Sequence, residues 1–140
     1  MATARNIGIA DIAFTADADL TLGQYHAVTV ASTVGNVKLA TGACNPTPLG
    51  VLQNSPSAGQ EAQVRMLGPS KLFVVTGSGS QLQFGKYATI NACGQGIPVS
   101  TDPGSPIFAR NIGATVAVSA SQYAEVFVYG GFSACNVTAS

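Results

Sequence analysis

The sequence predicts an all-β fold: a single small domain of many short strands, barrel- or tulip-like, with an extended N-terminal arm. Three observations carry that expectation. Apolar residues recur with a period of two in almost every segment, the signature of strands with one buried face. Turn-forming clusters interrupt the chain too often for a helix of ten residues to survive, except around Thr115 to Ser121. The 140 residues include 16 Gly and 7 Pro, spread along the length and never gathered into one linker.

Taken in order, residues 1–10 are small and polar with Ile7 and Ile9 alternating, which predicts an extended arm without a core of its own. His26–Val30 and Asn36–Ala40 alternate and enclose Val34-Gly35-Asn36, a tight-turn signal. Pro48 and Pro56 bracket a strand between Leu49 and Asn54, since proline cannot donate to a ladder. Ala58-Gly59 supplies the positive-φ position of a turn. The strand from Ala62 to Leu67 then sets Ala62, Val64 and Met66 on one face. Lys71–Thr76 is almost continuously apolar and predicts a strand buried on both faces. Gln81–Phe84, Tyr87–Ile90 and Ala114–Ser119 read as further strands. The strongest is Tyr123–Tyr129, with Ala124, Val126 and Val128 on its core face. The domain is expected to run from 11 to 132, followed by a tail at 133–140.

Composition speaks to association. Only 9% of the residues are charged, against about 25% in ordinary domains, while 46% are hydrophobic. Six basic and six acidic residues cancel. A neutral surface of small residues keeps copies apart poorly and favours assembly. The basic residues are scattered singly, which argues against a nucleic-acid partner. No apolar run is long enough to span a bilayer, and the first residues do not read as a secretory signal.

Chemistry is thin. His26 is the only histidine and reads as a half-exposed structural residue of a strand. Asp17 and Asp19 read as a solvated acidic turn, without the spacing of a calcium loop. Gly77-Ser-Gly-Ser80 lacks the ending of a phosphate-cradling loop. Without Trp, a carbohydrate platform is poorly supplied. Cys44, Cys93 and Cys135 each sit in a turn-like Ala-Cys-Asn or Ala-Cys-Gly context. Free thiols are expected, with one intrachain bridge plus a leftover thiol, or an interchain bridge, as alternatives. The expectation is a protein that is not an enzyme, has no catalytic, cofactor or metal site, and needs no cofactor.

Five segments in order carry a family resemblance: Leu20-Thr-Leu-Gly-Gln-Tyr25, Gly35-Asn-Val-Lys-Leu-Ala40, Pro48–Pro56, Ala58-Gly-Gln-Glu-Ala62 and Gly68-Pro-Ser-Lys71. Their succession resembles the capsid decoration (cement) proteins of tailed bacteriophages, covering the first half of the chain well and the second in outline. The resemblance implies a homotrimer on the outer surface of the expanded capsid, made in the host cytoplasm. It would clamp the major capsid protein, with "G-x-S-K" at Gly68–Lys71 as a turn. Ile7 and Ile9 are the expected capsid contacts, because an alternating arm can add a strand to a neighbour's sheet edge. The competing expectation is a subunit of another β-rich assembly, such as a head fibre or surface adhesin.

Overall fold

A computed structural model describes residues 10–44, 47–99 and 106–129. Among them there is no helix. Nine strands follow in order: β1 (Ala10–Ala16), β2 (Ala27–Val30), β3 (Asn36–Leu39), β4 (Gly50–Leu52), β5 (Glu61–Val75), β6 (Tyr87–Ile90), β7 (Gly96–Pro98), β8 (Ala109–Asn111) and β9 (Ser121–Val128). The all-β, barrel-like reading holds.

Strand pairing closes two rings around one shared strand. The sheet order is β1-β3-β2-β4-β5-β7-β6-β8-β9, with the extra pairings β1–β5 and β5–β9. The first extra pairing closes β1, β3, β2, β4 and the first half of β5 into a five-stranded barrel. The second closes the rest of β5 with β7, β6, β8 and β9. Glu61 to Leu67 of β5 pair with β1, whereas Gly68 to Val75 pair residue by residue with β9. The changeover falls at Gly68-Pro69.

Each ring has its own core. Ala16, Leu20, Val28, Val37, Leu52, Ala62 and Val64 fill the first barrel. Leu72, Val74, Ala88, Ile90, Ala109, Ala124, Val126 and Val128 fill the second, with Leu82, Phe108 and Val116 contributed by loops. Five strands enclose a narrow interior, so Ala and Val suffice to pack it. Ala27, Ala40 and Val51 belong to the first ring but turn their side chains toward the second core, which fuses the two barrels. At that seam the Gly94 carbonyl accepts from the Ala27 N–H at 2.7 Å. A Cβ on Gly94, whose φ is +74°, would stand 2.8 Å from the Ala27 carbonyl oxygen, so only glycine fits.

Most predicted strands are present, including both Tyr87–Ile90 and the core face of the last strand. Gly59 does take a positive φ, 83°. Four expectations need correction. Gly68–Lys71 is not a turn: it lies inside β5, because the strand leaves one ring and enters the other without reversing. Lys71–Thr76 is buried on one face only, with Leu72, Val74 and Thr76 inside and Phe73 and Val75 half-buried. Gln81–Phe84 and Ala114–Ser119 form no strands. Each buries a single apolar side chain, Leu82 or Val116, and the two meet in one isolated bridge. Finally, the thiols are not all free. Cys44 is disulfide-bonded, while Cys93 is free and exposed, held in an Asx turn by the Asn91 side chain.

Two buried polar residues hold loops onto the second barrel. Asn111, fully buried, donates through Nδ2 to the Leu82 and Ala114 carbonyls and accepts from the Gly113 N–H. Thr76 donates through Oγ1 to the Ala117 carbonyl and accepts from the Ala120 N–H.

Candidate interaction surface

Closed barrels remove exposed sheet edges, and this fold closes two. Among the described residues, β1 keeps one of the open stretches. β1 pairs with β5 from Ala10 to Thr15, but β3 reaches it only at Thr15 and Ala16. Along Ala10–Phe14 the other edge of β1 therefore has no strand partner among the described residues. Asp11, Ile12 and Ala13 are exposed on both faces, so this ribbon stands clear of the barrel rim.

Several features fix the ribbon in place. Asp11 and Arg65 are register partners and form a two-pronged ion pair, Nε to Oδ1 at 2.8 Å and Nη2 to Oδ2 at 2.9 Å. Arg65 also donates to the Pro69 carbonyl, and the Asp11 carboxylate raises the guanidinium pKa further above its usual value. A β-bulge between Ala10 and Asp11 shifts the register beside Met66, a common device at barrel rims for turning a strand outward.

Beside the open edge lies an apolar slot. Phe14, the β2–β3 hairpin from Val30 to Gly35, and Asn36 enclose about 280 Å³. The hairpin sits here because β3 runs parallel to β1, which sets the residues preceding Asn36 alongside those preceding Thr15. Asn36 Nδ2 donates to Asp17 Oδ1 and braces its base. Ile12 shares a strand face with Phe14 and is 46% exposed; Val30 is 48% and Val34 99% exposed. A polar backbone edge beside exposed apolar side chains is what an added strand requires: hydrogen bonds for affinity and slots for alternate side chains.

The sequence-predicted contacts Ile7 and Ile9 lie outside the described residues. The chain they precede enters β1 directly at Ala10. Sequence reasoning missed the edge itself. Its one local signal, Ile12 and Phe14 alternating with Asp11, Ala13 and Thr15, does not say which neighbour would be missing.

His26 is half-buried, stacked on Phe73 at 5.2 Å, and its Nδ1 lies 3.1 Å from the Gln24 carbonyl. It is half-exposed as expected but stands one residue before β2, not within the strand. Asp17 and Asp19 are exposed, and Asp19 accepts from the Thr21 N–H, which lowers its pKa. Among the described residues, no three His, Cys, Asp or Glu side chains gather as a metal site.

No protein-family model and no curated protein matches this chain. Among solved structures, the fold is similar to the N base of the head fibre gp8.5 of bacteriophage phi29. The likeness has a TM-score of 0.58 at 18% identity and covers 89% of this chain and 97% of that one. At that identity the likeness is one of fold, and it extends over both barrels.

Proposed function

We propose that this chain is a structural subunit of a bacteriophage head, anchored to the major capsid protein through the open edge of β1. The observation that carries the reading is that edge: five residues of β1 open on one side, beside an apolar slot. An extended segment of the capsid subunit would pair with Ala10–Phe14 and set alternate side chains against Ile12, Phe14 and Val34. Ile7 and Ile9 would extend the same contact. Backbone pairing and apolar burial are insensitive to salt, which suits a chain with so few charges. The subunit would work as an oligomer, a homotrimer by the cement-protein resemblance, on the outer capsid surface.

Two roles fit such a subunit. The motif order from Leu20 to Lys71 favours a decoration protein that clamps the lattice. The likeness to a head-fibre base favours a socket carrying further structure outward. Weak contacts repeated over a shell give high avidity in either role.

The test is co-sedimentation with purified expanded phage heads. Wild type is expected to saturate them at both low and high salt. Ile12→Lys and Val34→Asp, both at exposed positions and harmless to the fold, are expected to weaken binding at least about tenfold. Equal binding by the two variants would overturn the edge as the anchor. No binding by wild type to any head would overturn the reading itself. Electron microscopy of decorated heads separates the roles: a clamp bridges neighbouring capsid subunits, whereas a socket stands at isolated positions.

A further inference from the structure

On the opposite flank of β5, at the seam between the barrels, a cleft of about 300 Å³ opens to solvent. Tyr25, Gln53, Ser70, Lys71, Ile112 and Glu125 line it together with Arg65 and Pro69. Its construction is unusual at Tyr25. The residue sits in the left-handed region, φ 64°, which bulky side chains avoid. Two hydrogen bonds hold it there, one to each barrel's framework: its N–H donates to the Leu52 carbonyl at 2.7 Å and its carbonyl accepts from the Phe73 N–H at 2.8 Å. Strain of this kind persists where the surrounding structure over-determines it, and it clusters at ligand sites.

Tyr25 is the aromatic side chain of the cleft lining, and two further rings continue from it outside the lining. Tyr25 meets Tyr123 edge-on at 5.5 Å, and Tyr123 meets Phe73 edge-on at 5.3 Å. The sequence lacks Trp, yet the fold gathers three smaller rings from separate segments. Polar groups face them. Lys71 and Glu125 are opposite one another on β5 and β9 but form no ion pair. The Lys71 ammonium stands 5.8 Å over the Tyr25 ring instead. The Glu125 carboxylate has no hydrogen-bond partner among the described residues. Gln53 Nε2 is engaged with the Val51 carbonyl and Ser70 Oγ, which fixes its amide at the cleft wall.

We propose that this cleft is a saccharide-binding site, taking one neutral hexose unit of a glycan. The Tyr25 ring offers an apolar surface to the C–H face of a pyranose, while a fixed amide, a free carboxylate and an ammonium accept from and donate to its hydroxyls. The charges decide against an anionic ligand. Arg65 is neutralised by Asp11, and Lys71 and Glu125 offset each other, so the lining together with Asp11 carries no net charge. An extended peptide is disfavoured too. β5 pairs with β9 along the cleft, and the Pro69 and Lys71 carbonyls already accept from Arg65 Nη1 and Ser70 Oγ, which leaves an added strand little to pair with. The site adjoins the β1 ribbon through the Arg65–Asp11 pair but does not rest on the capsid reading.

The experiment is amide chemical-shift titration of the intact chain with maltotriose, chitotriose and, as the anion control, inorganic phosphate. Saturable shifts at Tyr25, Gln53, Ser70, Lys71 and Glu125 with one trisaccharide, in the millimolar range of a shallow site, are expected. Glu125→Gln, at an exposed strand position, is expected to weaken the interaction about tenfold. Tyr25→Asn, which keeps a residue tolerant of the left-handed region, is expected to abolish it. Ile12→Lys is expected to leave it unchanged. Shifts with phosphate alone, shifts that survive both cleft variants, or no saturation by either sugar at about 20 mM would overturn the proposal.

Discussion

At the scale of single residues, the polar side chains inside the second barrel matter most. Asn111 satisfies two carbonyls and one N–H from the loops at Leu82 and Gly113–Ala114, and removing it strands those groups. Asn111→Ala is expected to cost about 2–3 kcal/mol in denaturant unfolding, whereas Gln83→Ala, on the exposed side of the same loop, costs nothing measurable. Such a residue is invisible in sequence, because an Asn beside Ile112-Gly113 looks like any turn former. The thiols have the same difficulty. Three Ala-Cys triplets look alike, and only the folded chain separates the bonded Cys44 from the free Cys93. Reducing agent is accordingly expected to lower the melting temperature, with a bridge contributing about 2–4 kcal/mol, while Cys93→Ser leaves it unchanged. Asp19 adds a small pH effect. Its lowered pKa means that its bond to the Thr21 N–H stabilises the fold above the ordinary carboxylate value of 3.8 and is lost as pH falls through the lower folded value. The melting temperatures of wild type and Asp19→Ala should therefore converge in strong acid.

At the scale of elements, the sequence shows where a strand lies better than it shows what that strand pairs with. The alternation at Ala62–Leu67 and the apolar run at Lys71–Thr76 both mark real strand. Gly68-Pro69 between them reads as a break, since glycine and proline usually end strands. Here Gly68 is buried and Pro69 faces outward where β5 changes rings, so both residues are accommodated within one strand. Gln81–Phe84 and Ala114–Ser119 fail for the converse reason: two alternating residues imitate a strand when only one of them is buried. β7 and β8 are three residues each, too short for any periodicity to show. The seam offers an element-level test. Gly94→Val would drive a side chain against the Ala27 carbonyl, and its melting temperature is expected to fall by several degrees without loss of strand content by circular dichroism.

At the scale of the whole molecule, the composition and the architecture agree. A chain of Ala, Val, Gly, Ser and Thr fills two narrow barrels and leaves a neutral exterior, the property that pointed to assembly. Because the two cores share β5 and pack through Ala27, Ala40 and Val51, neither ring can open alone. One unfolding transition is expected, coincident by far-ultraviolet circular dichroism and tyrosine fluorescence; two separated midpoints would contradict the coupling. The shared strand also imposes an order on biosynthesis. Every strand of the first barrel is translated by Leu67, but Gly68–Val75 must wait for β9, which follows only after residues 76–120. At roughly 5–20 residues per second that interval lasts a few seconds, during which Leu72 and Val74 lie on a bare ribbon beside the ribosome. A nascent chain halted in that window would be prone to clumping with its siblings through this ribbon, and a synthetic peptide spanning Ser121–Val128 should cap it and keep the truncated product in solution.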